Sequence, residues 1–430
     1  MKRAGRVLLA VLGVLVLGVV VVLLGGLALI WAAGVSDRPA VILSVTTLVC
    51  VALLAGGGWL LTRLAAEPRR RRVRVIAAAT AVLLLTPLVW WTVLRPQPVS
   101  DIPELAGVRY LTLPDGNRLA MLLVPAQGPK RGEPIVFLHG GPGVADMDHD
   151  AGLIGRLAAT GRDVWLYDQL GAGRSSRLTD PSGYSLERDV ADLEKVREHI
   201  GADRVVLIGH SYGSTLAATY LAVHPEHVTR VVFSVPGRLV PELNDLSGTG
   251  MVGRLPREQA ISTLAMLAFP RSMIAYELSR HNPRAAPGYA GDAEMDSQFE
   301  ELYRRSAAGL VCDTSRLPPA PVRPGFYANQ VPLGRKEPYP DIRPQLRTLD
   351  TPALVLKPGC DYLPWSFAQD YRHTYANSQL VYLPDAGHQL YFEQPDRFVS
   401  LVSAFLDGKP LPMTPFTAEG PPADYRGTLG

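Results

Sequence analysis

Three short stretches of this chain carry side chains suited to acyl chemistry. In "VVLIGHSYGSTLAATYLA", residues 205–222, Ser211 lies within Gly209-His210-Ser211-Tyr212-Gly213, between an apolar β-rich run and a helical stretch with small residues. Glycines on either side of a serine permit a strained strand-to-helix turn that projects the hydroxyl above a sheet, so Ser211 is the expected nucleophile rather than a turn or capping serine. A hydroxyl attacks only when a base takes its proton, and with this elbow the acid and then the histidine follow in sequence. His388, in "YLPDAGHQLYFEQP" after the last β-rich run, is the expected base. The other histidines fit less well: His139 and His210 belong to glycine loops, His224 and His227 flank Pro225, and His373 falls in a helical stretch. Asp361, in "ALVLKPGCDYLPW", is the expected acid that orients the imidazole. Its rival Asp385, three residues before His388, better suits a turn or a helix cap.

"HGGPG", residues 139–143, follows the apolar run Ile135–Leu138 and cannot continue a strand. A carbonyl under attack develops negative charge and needs preorganised donors. The expected donors are the backbone N–H of Gly141 in this loop and that of Tyr212, the residue after the nucleophile. Pro142 has no N–H and stiffens the turn. The acidic run Asp146-Met147-Asp148-His149-Asp150 contains metal-ligating types, but adjacent loop residues seldom converge on one ion, so it reads as a solvated loop or helix start. Neither a metal nor a cofactor is required.

The elements that must position these residues run from 99 onward. β-rich runs at Arg109–Leu113, Leu119–Val124, Ile135–Leu138, Val164–Tyr167, Val205–Ile208, Val231–Val235, Ala353–Leu356 and Leu380–Leu383 alternate with amphipathic stretches, the pattern of an α/β fold with one doubly wound sheet. Pro114-Asp115-Gly116-Asn117 makes the first two an antiparallel hairpin at the sheet edge. Residues 99–235 and 350–408 form the core, 236–349 a small domain inserted over the ligand-binding end of the sheet, and 409–430 a loose tail.

The first 98 residues differ in kind. Uncharged apolar runs at Val7–Ser36, Pro39–Thr62 and Val75–Leu94 each reach the roughly 20 residues that a bilayer-spanning helix needs. The first is too long for a cleaved signal peptide. Arg69 to Arg72 with Arg74 mark a cytoplasmic loop, as do Lys2, Arg3 and Arg6, so three spans leave everything after Arg95 outside. A formal net charge of +3 leaves no basic surface for nucleic acid once the loop arginines are set aside. An outside location permits a Cys312–Cys360 bridge, the alternative being two separate buried thiols.

"HGGPG" at 139–143, "YDQLGAGRSS" at 167–176, "GHSYGS" at 209–214 and "GHQLYFEQP" at 387–395 together resemble the proline iminopeptidase branch of the α/β-hydrolases over about residues 105–240 and 350–405. The resemblance implies an α/β-hydrolase fold of eight strands with an inserted cap, and cofactor-free serine chemistry that releases an N-terminal residue from peptides. It assigns Ser211, Asp361, His388 and the Gly141 loop to that chemistry. Where the family has a tryptophan after the nucleophile, this chain has Tyr212, and no Trp-Glu cap motif occurs between 236 and 349. Glu294, Glu300 and Glu301 read as solvated helix charges. The readings carried forward are a membrane-anchored aminopeptidase acting on small peptides, an esterase or other acyl hydrolase with the same triad, and a silent tethered binding protein, which an intact triad opposes.

Overall fold

The computed structural model describes residues 3–63, 72, 76, 83, 86–242 and 250–429. They divide into two units: Met1–Gln97 with Ala268–Gly291, and Pro98–Leu267 with Asp292–Gly430.

The second unit is built on one eight-stranded sheet. Its strands are β1 (Arg109–Thr112), β2 (Arg118–Val124), β3 (Ile135–Leu138), β4 (Val164–Tyr167), β5 (Val205–His210), β6 (Val228–Ser234), β7 (Ala353–Pro358) and β8 (Ser378–Leu383), in the order β1-β2-β4-β3-β5-β6-β7-β8. β1 pairs antiparallel with β2, and β2 antiparallel with β4; every later pairing is parallel. The hairpin turn closes with Leu113 N–H donating to the Asn117 carbonyl at 2.7 Å, and Gly116 takes φ 85° there. β3, β5 and β7 are buried along their whole length, as strands covered on both faces must be. Helices α3 (Met147–Leu153), α4 (Leu186–His199), α5 (Tyr212–Val223), α6 (Asp292–Ser306), α7 (Trp365–Thr374) and α8 (Pro395–Leu406) belong to the same unit.

Two expectations need correction. The insertion 236–349 does not separate as a domain of its own: Ala268–Gly291 groups with the N-terminal helices and the remainder with the sheet. Residues 409–430 are not loose. Phe416 N–H donates to the Leu380 carbonyl at 2.6 Å, Arg426 N–H to Gly359 at 2.8 Å and Thr428 N–H to Asp361 at 3.1 Å.

In the first unit, α1 (Arg3–Val35) and α2 (Pro39–Thr62) are two long helices, and the segments Val11–Val35 and Pro39–Thr62 are each apolar and long enough to cross a membrane. Only 11% and 6% of their most apolar windows are buried, which sets them apart from the core helices of a soluble protein. Part of the third expected span, Val75–Leu94, lies outside the described residues, which there include the short helix Trp90–Leu94. Ala268–Gly291 binds this unit through two buried polar side chains. Arg271 donates to the carbonyls of Val93 at 3.1 Å and Tyr289 at 2.8 Å. Asn282 donates from Nδ2 to Ala33 O at 2.8 Å, Ser36 O at 3.0 Å and Asp37 Oδ1 at 2.9 Å.

Candidate active site

Ser211 sits at the corner between β5 and α5 with φ 54° and ψ −118°, a conformation L-residues avoid and one that the neighbouring structure must enforce. Its backbone N–H donates to Ser234 O at 2.9 Å, and Ser214 Oγ donates to Gly209 O at 2.8 Å. Gly209 and Gly213 are obligatory: a Cβ on Gly213 would overlap the Leu138 carbonyl oxygen, and one on Gly209 the Gly213 carbonyl. Sheet and helix therefore approach backbone to backbone.

His388 and Asp361 meet in the fold. Nδ1 of His388 donates to Asp361 Oδ1 at 2.9 Å, and Asp361 is completely buried. Asp361 Oδ1 also accepts from Leu363 N–H at 3.1 Å, while Oδ2 accepts from Lys357 Nζ at 2.7 Å. Burial raises the Asp361 carboxyl, yet Lys357 and His388 outweigh it and hold the group well below the usual carboxylate range. Lys357, equally buried, has its own ammonium lowered by desolvation, with Asp361 opposing. Asp385 lies on the surface, ion-paired with Arg426 at 2.8 Å. It is not part of this cluster.

A second carboxylate fixes the histidine loop. Glu393 accepts from the N–H of Gly387 at 2.6 Å, beside His388, and from those of Cys312 at 2.7 Å and Asp313 at 3.1 Å. Cys312 and Cys360 form a disulfide, with Cα atoms 5.3 Å apart, one residue before the acid.

The HGGPG loop turns back on itself through Val144 N–H donating to Gly140 O at 3.0 Å. His139 supports it from below: Nδ1 donates to Gly140 O at 3.0 Å while Nε2 accepts from Gln169 N–H at 2.9 Å. Both bonds require the neutral ring, and burial lowers this imidazole to about 4. Asp168 in turn accepts from Arg174 N–H at 2.8 Å, and burial pushes its carboxyl up to about 7. The DQxGxGRS stretch thus props the HGGPG loop. Tyr212 opens α5, where the first N–H groups have no intrahelical acceptor. Its hydroxyl donates to Asp189 at 2.7 Å, keeping the ring outside the cavity.

One cavity gathers Gly140, Gly141, His210, Ser211, Tyr362 and His388. Its outer wall comes from the insertion, through Tyr303, Ala307, Leu310, Pro318, Pro319 and Pro321. Nε2 of His388 faces the Tyr362 hydroxyl at 3.4 Å, and the His210 and His388 rings lie 5.2 Å apart. An imidazole whose Nδ1–H is held by a buried carboxylate, lining the same cavity as a hydroxyl on a strained turn, is of the type that can act as its base.

The acidic run after HGGPG starts a helix, as expected, but its side chains are not all solvated. Asp148 is paired with Arg174 at 2.6 Å, Asp146 accepts from His149 Nδ1 at 2.7 Å, and Asp150 is buried. Glu300 and Glu301 are spent on Arg304 and Arg305 along α6.

Residues 133–265 match the family described as having the alpha/beta hydrolase fold. The chain is a hydrolase with the α/β-hydrolase fold. Its curated relatives include a proline iminopeptidase of Heyndrickxia coagulans, 43% identical over 106 residues that cover 24% of this hydrolase and 35% of that relative. The match therefore spans about a third of that protein. Longer matches reach the proline iminopeptidase of Saccharolobus solfataricus, 25% identical over 64% of this chain and 84% of the relative. That of Lactobacillus delbrueckii subsp. bulgaricus is 25% identical over 68% and 96%.

Lys357, Glu393 and Asp150 escape a reading of the sequence alone. Lys357 gives a usable signal, a lysine in an otherwise apolar run, while Glu393 and Asp150 resemble ordinary helix carboxylates.

Proposed function

We propose that this hydrolase is a membrane-anchored serine aminopeptidase of proline iminopeptidase type, which releases the first residue of short peptides through an acyl-enzyme. The observation that carries the reading is the buried Asp361–His388 pair opening onto the cavity that holds Ser211. Ser211 Oγ attacks the scissile carbonyl while His388 Nε2 takes its proton, and Asp361 stabilises the resulting imidazolium. The backbone N–H groups of Gly141 and Tyr212 receive the oxyanion. His388 then returns the proton to the leaving amine and activates a water that frees the acyl group. The relatives' names support the peptidase reading.

The anchor consists of the two apolar helices and the Val75–Leu94 run, and the part of the insertion that lines the cavity, from Tyr303 to Pro321, acts as its cover. The hydrogen bonds from Asn282 to Ala33 and Asp37 and from Arg271 to Val93 support an arrangement in which the loop between the first two spans and the end of the third share one side. The Cys312–Cys360 bridge favours the oxidising, extracytoplasmic side.

The test uses the full chain in detergent with prolyl and alanyl arylamides, their N-acetylated forms and a short-chain aryl ester. Cleavage restricted to free-amine amides, and lost in Ser211→Ala by about four orders of magnitude or more, is the expected result. Turnover of the ester alone establishes the esterase reading instead.

A further inference from the structure

Scattered exposed apolar residues are ordinary, but several on one face of a helix mark an interaction surface. The helix Arg257–Leu267, in the first part of the insertion, leaves Ile261 57% exposed, Leu264 54% and Leu267 40%. Ile261 and Leu264 stand three residues apart, with exposed Ala265 beside them, so they share one face, which Leu267 flanks. The other side is spent on the fold: Thr263 is buried, and Met266 packs against the cluster that holds Phe299, Tyr303 and Tyr362. Tyr303 and Tyr362 also line the cavity.

The chain itself points to the occupant of the exposed face. Leu267 is followed directly by Ala268–Gly291, the segment that belongs with the N-terminal helices. Arg271 comes only four residues after Leu267, a reach of at most about 14 Å. It donates to the carbonyls of Val93 and Leu94, where the third apolar run ends. Tryptophans mark this level of the helical unit: Trp90 and Trp91 are exposed shortly before Arg95, and Trp31 is exposed just before the Ala33–Asp37 loop that Asn282 binds. Indole rings gather where hydrocarbon meets headgroups, so the lipid surface belongs at the end to which Ala268–Gly291 is attached. A second copy of the chain fits less well. Three side chains on one helix of 11 residues offer far less than the roughly 800 Å² that each partner gives to a stable protein interface, whereas a helix lying in a lipid interface needs only such a face.

We propose that the helix Arg257–Leu267 lies in the headgroup layer of the membrane that holds the N-terminal helices, with Ile261, Leu264 and Leu267 dipped into the lipid. The inference rests on the membrane-anchored reading and adds to it a second lipid contact, made by the insertion. With Met266 on the cavity's cover and Leu264 in lipid, this helix ties the cover to the membrane surface.

The experiment uses the full chain with Cys50→Ser in phosphatidylcholine nanodiscs, carrying one nitroxide at Leu264→Cys, Ile261→Cys, Gln259→Cys or Leu23→Cys. Power saturation compares collisions with oxygen, which concentrates in lipid, and with a nickel chelate, which stays in water. Leu23, exposed in α1, is the control for the anchor. Gln259, exposed two residues from Ile261 and so on the far side of the helix, is the control for water. Labels at 261 and 264 are expected to collide more with oxygen than with the chelate, as the one at 23 does, and the order reverses at 259. Two labelled positions keep the test decisive should one variant not fold. Chelate-accessible labels at 261 and 264 beside a lipid-buried label at 23 overturn the surface contact and leave the anchor standing. Spin–spin broadening between copies at 264 overturns it too, assigning the face to a second copy. A chelate-accessible label at 23 overturns the anchor and the surface contact together.

Discussion

The elbow that carries Ser211 and the loop that carries His388 reach the same cavity by opposite means. The elbow is local and uncharged, made of consecutive residues held by backbone hydrogen bonds and by two glycines with no room for a side chain. The histidine loop is assembled from three separated pieces, 312–313, 357–363 and 387–393, held by buried charge and a disulfide. Shape fixes Ser211, and electrostatics fixes His388.

The contrast breaks first at the elbow. In Gly213→Ala the new methyl meets the Leu138 carbonyl, and neither backbone can withdraw without parting β3 from α5. A destabilisation of about 4 kcal/mol or more is expected, seen as loss of soluble, labelled enzyme when the serine is titrated with a fluorophosphonate. Next comes Lys357→Met, which removes one counter-ion from Asp361 but leaves His388 in place. Losing one partner of a buried pair costs about 3 kcal/mol, which thermal unfolding should report together with a lower kcat. A fully stable Lys357→Met would show that charge is not what holds this half.

The third effect is smaller and depends on pH. His139 is neutral when folded, with its pKa lowered to about 4, whereas an unfolded histidine titrates near 6.5. As pH falls from 6.5 towards 4 the unfolded chain takes up a proton that the folded chain refuses. Stability present above pH 6.5 is therefore lost across that window, up to about 3 kcal/mol for this one ring. Asp361 contributes differently: its depressed carboxyl stabilises the fold above about pH 3.9, and the contribution disappears only as pH falls further. Buried Asp168 and Asp189, both raised to about 7, act in the reverse sense, so the readout is the difference between wild type and His139→Gln. The decline between pH 6.5 and 4 should be shallower in the variant.

The same contrast explains what the sequence discloses. All eight strands fall within three residues of the expected bounds, because buried strands and turn residues write their period locally. The Ser211 elbow is equally plain, being a single contiguous motif. His388 and Asp361 are legible as candidates only through their order along the chain. Lys357 lies only four residues before Asp361, and its apolar run is the one sign of it, whereas Glu393 also reaches the distant N–H groups of Cys312 and Asp313 and nothing in its neighbours announces that. In the sequence Asp150 reads as a solvated acid, because its burial depends on Tyr391 and the cavity wall. The tail's Pro and Gly content suggested looseness, yet its backbone hydrogen bonds are satisfied by the loop around Asp361.

The division of the chain has a practical corollary. The polypeptide passes between the two units three times, at 97/98, 267/268 and 291/292. A truncation that starts at Pro98 is therefore no clean excision: it retains Ala268–Gly291 but discards the carbonyls of Val93 and Ala33, to which Arg271 and Asn282 donate. Such a fragment strips buried polar side chains of part of their hydrogen bonds and bares an apolar face, the recipe for inclusion bodies. A soluble version of this enzyme calls for redesigning that internal segment as well as removing the N-terminal helices.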